Sequence, residues 1–152
     1  MIEFRSVEDI LKFALQKEEA SYFFYMDMAK LVDDKTVSQL FEDFAREELN
    51  HREQIQLEIM KVGKVIDTED DWANRTSADS LFNGELPKDF NVADALKVAI
   101  KKEQAAYKLY IDLIRVTKDQ EAVDAFMVLA EEEIRHKMKF EAAYDSFMRQ
   151  QR

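Results

Sequence analysis

The chain contains only two histidines, and each stands three residues after a glutamate, in Glu48-Leu49-Asn50-His51 and in Glu133-Ile134-Arg135-His136. Residues three apart on a helix share a face, so the carboxylate and the imidazole of each motif can address one point. Thirty residues upstream of each motif stands a further glutamate, Glu18 before Glu48 and Glu103 before Glu133. Together Glu18, Glu48, His51, Glu103, Glu133 and His136 form a mixed oxygen and nitrogen donor set. That set suits iron, with manganese or zinc possible by affinity alone.

The charge count favours a pair of ions over one. Four ionised carboxylates brought together in an apolar interior repel one another and lose their hydration. Two divalent ions cancel the four negative charges, and two neutral imidazoles complete the coordination without adding any.

The elements that must carry these residues are legible as periodic stripes. Adding 85 to a residue number overlays one half of the chain on the other. Ala14, Glu18, Ala20, Tyr22, Tyr25, Phe41, Ala45, Glu48 and His51 fall on Ala99, Glu103, Ala105, Tyr107, Tyr110, Phe126, Ala130, Glu133 and His136. Each half is a helical hairpin, too long in period for a usual solenoid unit. The first helix carries Val7, Leu11, Ala14, Glu18, Ser21, Tyr25, Met28 and Val32, and ends near Asp33-Asp34. The second carries Val37, Phe41, Phe44, Glu48, His51, Ile55, Glu58 and Val62, with Gly63 as its stop. The third carries Val92, Leu96, Ala99, Glu103, Ala106, Tyr110, Leu113 and Thr117. The fourth carries Ala122, Phe126, Leu129, Glu133, His136, Phe140, Ala143 and Phe147, with a tail that frays after Met148. The 4-3 spacing is that of core-facing helices. Ser6 with Asp9, and Asn91 with Asp94, mark N-termini.

Glu18 and Glu48 lie at equal distances from the first turn, and Glu103 and Glu133 at equal distances from the second. In antiparallel pairs, equal distance from the turn means equal height. The expectation is an all-α antiparallel four-helix bundle, one domain over residues 1–152. Its two repeated hairpins are joined by a long crossover at about 64–90, and all six polar groups meet mid-bundle. Within the crossover, Ser77 to Phe82 reads as a short helical turn, and Trp72 and Phe82 as anchors in a surface groove. Tyr25 and Tyr110 sit on the stripes two turns after Glu18 and Glu103. They read either as core residues with satisfied hydroxyls or as donors to a ligand carboxylate. Glu47, Glu131 and Glu132 are expected to face solvent, Glu58 to sit at the wet end of the core, and Met26, Met28 and Met127 to be plain packing.

Composition narrows the classes. Two glycines and one proline in 152 residues leave little material for sheet turns. A net charge of -10 disfavours a nucleic-acid partner. The absence of cysteine excludes disulfides, zinc fingers and Cys-ligated iron, and fits a reducing cytoplasm. The start of the chain lacks the pattern of a signal peptide, and no window has the apolar length of a membrane span.

The ligand pattern resembles the ferritin-like di-iron carboxylate proteins, and within them the rubrerythrin type. The resemblance covers essentially the whole chain. It implies that Glu48 and Glu133 bridge two irons, that Glu18 and Glu103 are terminal ligands, and that one histidine lies near each metal. Two departures stand out. The chain has no rubredoxin module, with its four cysteine ligands, and Ala106 occupies the position where rubrerythrins carry an additional glutamate. There is also no room after residue 149 for the short fifth helix of storage ferritins.

The resemblance implies an oxidoreductase that reacts with hydrogen peroxide or dioxygen, as a peroxidase or ferroxidase. Re-reduction then needs a separate electron donor such as a rubredoxin. A homodimer is expected, because long bundles of this type pair side to side. The alternatives are an iron-binding or storage protein, and a helical interaction protein with a structural metal site.

Overall fold

The structure, a computed structural model, describes residues 4–62 and 90–151. The expected crossover lies outside these residues except for Phe90, and with it Gly63, the turn at 77–82, Trp72 and Phe82. The described residues form four helices and no strand: α1 (Val7–Leu31), α2 (Lys35–Lys61), α3 (Val92–Val116) and α4 (Gln120–Gln150).

Each helix starts where a short polar side chain can take an otherwise unpaired backbone N–H. The Ser6 hydroxyl accepts from the Asp9 amide, and the Asp34 carboxylate from that of Val37. Asp119 serves α4 through the Ala122 amide. At α3, Asn91 and Asp94 cap each other reciprocally. Two very short connections, at 32–34 and 117–119, leave α1 and α2 no geometry but an antiparallel hairpin, and likewise α3 and α4.

The hairpins face each other through their striped sides. Phe44 of α2 meets Phe140 of α4, and His51 meets Glu133, so these two helices run in opposite directions. Tyr25 meets Glu103, and Glu18 meets Tyr110, so α1 and α3 do the same.

The apolar core is divided in two by the polar residues. Toward the α1–α2 turn, Tyr25, Met28, Phe41, Phe44, Leu96 and Phe140 pack together. Toward the α3–α4 turn, the cluster is Leu11, Ile55, Tyr110, Leu113, Phe126 and Leu129. The 85-residue repeat exchanges one set for the other, which is the expected pseudo-twofold relation in physical form.

Three details depart from expectation. Met127 is exposed, whereas Met28 is buried and Met26 partly so. Position 127 follows the core position Phe126 and so points about 100° away from the buried stripe. The α4 helix continues to Gln150 rather than fraying at Met148, because Ala143, Tyr144 and Phe147 pack onto the core. Helix α1 is buried over a wider arc than its stripe, with Ile10, Glu19, Phe24 and Ala29 also covered. Glu19 is held there by an ion pair with Arg52 at 2.9 Å.

Candidate metal centre

Between the two apolar clusters lies a layer of buried charge. Glu18, Glu48, His51, Glu103, Glu133 and His136 are each at most 4% exposed. They come from one position on each of α1 and α3 and from two positions, three apart, on each of α2 and α4.

They form two overlapping ligand groups. Glu18, Glu48, His51 and Glu133 offer four atoms within 4.8 Å of one another, and so do Glu48, Glu103, Glu133 and His136. Glu48 and Glu133 belong to both. Each group draws three residues from its own hairpin and one from the other. The His51 Nδ1 lies 3.1 Å from Glu133, 3.3 Å from Glu18 and 3.8 Å from Glu48. The His136 Nδ1 lies 3.7 Å from both Glu48 and Glu103.

Some atoms inside the layer are left without a partner. Glu48 Oε1, Glu103 Oε2 and His136 Nδ1 are buried without a hydrogen-bond partner. Buried polar atoms left unpaired are costly and rare, and lone pairs that converge without donors suit a cation. The residues present therefore fit a pair of metal ions.

The electrostatics of the six groups point the same way. Burial pushes Glu48 well above the usual carboxylate range, and the neighbouring Glu18 and Glu133 carboxylates add to the rise. Burial likewise raises Glu133, helped by its contact with Glu103. Burial also works against Glu18, but hydrogen bonds from Glu48 and His51 prevail and hold it at about 2. Glu103 is depressed in the same way, burial being outweighed by Glu133 and His136. For His51, burial opposes the cation, yet the Glu132, Glu133 and Glu18 carboxylates raise its pKa. The shared Glu48 and Glu133 are thus pushed toward the protonated form, and Glu18 and Glu103 toward the ionised one. Divalent ions would favour the ionised form of all four.

Both tyrosines reach this layer, each across the hairpin boundary. The Tyr25 hydroxyl donates to Glu103, and the Tyr110 hydroxyl to Glu18. Burial and the adjacent carboxylate charges raise both phenols well above their ordinary value, so they remain donors. Of the two readings of these residues, the geometry is that of donors to the carboxylates.

Two residues expected in solvent are only partly there and also contact the histidines. Glu132 lies 2.5 Å from the His51 Nε2, and Glu47 contacts the His136 Nε2. Their side chains are 28% and 39% exposed. Only the 85-residue correspondence between Glu47 and Glu132 could have signalled a shared role, since single spacing puts each beside the stripe. Glu131 does face solvent, paired with Arg135 at 3.5 Å. Glu58 sits near the end of α2, bonded to Lys61 at 3.0 Å.

A cavity of about 220 Å³ opens between α2 and α4 onto the outer edges of both imidazoles. Asn50, Gln54, Arg135 and Lys139 rim it. The two ends of the layer differ in their walls. The Phe44 ring lies 4.4 Å from His136, whereas the corresponding residue beside the other half is Leu129.

Solved structures share this architecture. A dodecameric thioferritin, the bacterioferritin-related protein of Bacteroides fragilis, superposes with a TM-score of 0.72 at 22% identity, over 95% of this chain and 87% of that one. A manganese catalase from Anabaena does so with a TM-score of 0.69 at 19% identity, over 96% and 75%. A hypothetical protein from Pyrococcus furiosus gives 0.68 at 19%, over 95% and 92%. Among curated proteins none matches in sequence. At these identities the likeness establishes the ferritin-like four-helix fold. The Rubrerythrin family model matches residues 9–144, a span that takes in both Glu-x-x-His motifs and both upstream glutamates, and the chain therefore belongs to the Rubrerythrin family.

Proposed function

We propose that this protein is a di-iron carboxylate oxidoreductase that reacts with hydrogen peroxide or dioxygen. The observation that carries the reading is the pair of overlapping buried ligand groups sharing Glu48 and Glu133. In this reading Glu48 and Glu133 span two metal positions. Glu18 with His51 closes one end, and Glu103 with His136 the other. Iron is the proposed metal, with manganese or zinc as substitutes the donor set also accepts. When bound, the metal pair supplies two electrons to the oxidant.

The residues around the ligands do the rest. Tyr25 and Tyr110 donate to Glu103 and Glu18 and hold those carboxylates in place. Phe41, Phe44 and Phe140 on one side, and Ile55, Phe126 and Leu129 on the other, shield the layer from either end of the bundle and strengthen its electrostatics. The sequence holds no cysteine to ligate a rubredoxin iron, and in this reading a donor protein of the rubredoxin kind supplies the reducing electrons. A cytoplasmic location goes with that reading. Among the described residues, no helix is long and apolar enough to cross a membrane.

Stopped-flow mixing of the ferrous protein with each oxidant in turn tests the proposal. Rapid oxidation by peroxide marks a peroxidase, and rapid oxidation by dioxygen a ferroxidase. If neither oxidant converts the ferrous protein, the reading is wrong.

A second reading, iron binding and storage, draws on the fold shared with a dodecameric thioferritin. It requires a closed shell and many irons per chain. Light scattering that gives only a homodimer, with two irons per chain, decides against it.

A further inference from the structure

We propose that Glu47 and Glu132 are positioning residues, each locking the imidazole of the opposite hairpin so that its Nδ1 lone pair points into the carboxylate layer. The inference rests on the two-metal reading and adds residues to it.

A neutral imidazole carries its proton on one nitrogen and a lone pair on the other. Both rings present Nδ1 to the buried carboxylates and Nε2 outward. For Nδ1 to ligate a metal, the proton must sit on Nε2. A carboxylate at Nε2 selects that tautomer, fixes the ring plane and makes Nδ1 more basic.

The structure supplies one such carboxylate to each ring. Glu132 of the second hairpin meets His51 of the first, and Glu47 of the first meets His136 of the second. The neighbouring Glu131 shows what an unrecruited glutamate of this helix does, since it lies in solvent beside Arg135. The rings are nearly parallel, at 11° with centroids 5.5 Å apart, as expected if both are held in equivalent ways. The cavity between α2 and α4 reaches both ring edges. Without the carboxylates, water would compete for Nε2 and the rings could turn.

The crossing has a consequence. The carboxylate at each Nε2 comes from the other hairpin, as does one member of each ligand group, so a competent ligand group exists only when the two hairpins are docked. Metal uptake and hairpin docking are then linked.

The test uses the full-length protein, cobalt(II) as the probe, and two readouts: calorimetric titration and the 15N shifts of the imidazoles. Glu47→Ala and Glu132→Ala are each expected to weaken one of the two cobalt positions by about 10- to 100-fold. Glu47→Gln and Glu132→Gln, which keep an acceptor oxygen, recover part of the loss. The effects must cross. Glu132→Ala loses its effect in a His51→Ala background and keeps it in a His136→Ala background, and Glu47→Ala behaves conversely. In the metal-free protein, the Nε2 shift that marks a proton bonded to a carboxylate is lost from one ring in each alanine variant.

Unchanged affinities and Nε2 shifts would overturn the proposal, as would effects that ignore the crossed pattern. If an alanine variant does not fold, the glutamine variant carries the same test through the change in the Nε2 shift. If the parent protein takes up no cobalt, the two-metal reading falls, and the Nε2 shifts alone decide whether Glu47 and Glu132 orient the rings.

Discussion

Tyr25 donates its hydroxyl proton to Glu103, a carboxylate 78 residues away in the sequence and in the other hairpin. Tyr110 does the same for Glu18. Each hairpin therefore holds the other's outer glutamate.

This exchange can be tested by removing the donors. Tyr25→Phe and Tyr110→Phe each leave a buried carboxylate oxygen short of a partner. Hydrogen bonds to charged groups contribute about 1.5–3 kcal/mol, and a loss of that order is expected in denaturant titrations of either variant. The repeat predicts similar losses for the two. A large loss for one and none for the other would show that only one tyrosine supports its carboxylate.

The shared glutamates differ from the outer ones in what their loss does. Glu48→Ala removes an atom from both ligand groups and is expected to depress uptake of both ions. Glu18→Ala touches only the group that contains His51, so one ion per chain should survive. Metal analysis of protein purified without chelators, combined with titration, distinguishes two, one and none.

Proton linkage gives a prediction with a definite sign. Glu48 and Glu133 have folded pKa values raised above the ordinary 4.5. The stability they contribute is complete below that value and lost as pH climbs through the raised ones. Glu18 runs the other way: its contribution is present above 4.5 and lost as pH falls through about 2. His51, raised above its ordinary 6.5, keeps contributing until the pH passes its raised value. Metal-free protein is accordingly expected to melt lower at about pH 8 than at about pH 5, and metal-loaded protein higher, because bound cations replace protons. Glu48→Gln, a neutral isostere, should flatten the metal-free profile. A metal-free melting temperature that rises toward alkaline pH would contradict these assignments.

The aromatic wall at one end of the layer gives a packing test. Phe44 is 2% exposed and lies 4.3 Å from Phe140 and 4.4 Å from His136. Phe44→Ala should cost about 3–5 kcal/mol through the cavity it leaves. Phe44→Leu supplies the side chain that the repeat places at Leu129, and a milder loss is expected. Equal losses for the two variants would mean that the repeat does not describe the packing.

The sequence by itself determined the four helices, their pairing into two hairpins, and the six residues that share one height. These follow from local geometry. The 3.6-residue period decides which side chains share a face, and equal spacing from a tight turn decides which stand level. Glu18 and Glu48 had to meet once that turn was known. What only the tertiary structure decided is who supports whom. Spacing could not say whether Tyr25 would serve Glu18 on its own helix or Glu103 across the bundle, or that Glu47 and Glu132, still partly in solvent, would reach the far hairpin's histidines. Those choices depend on how the two hairpins are rotated against each other and on which rotamers that packing leaves open. Neither is written in the periodicity of any one helix.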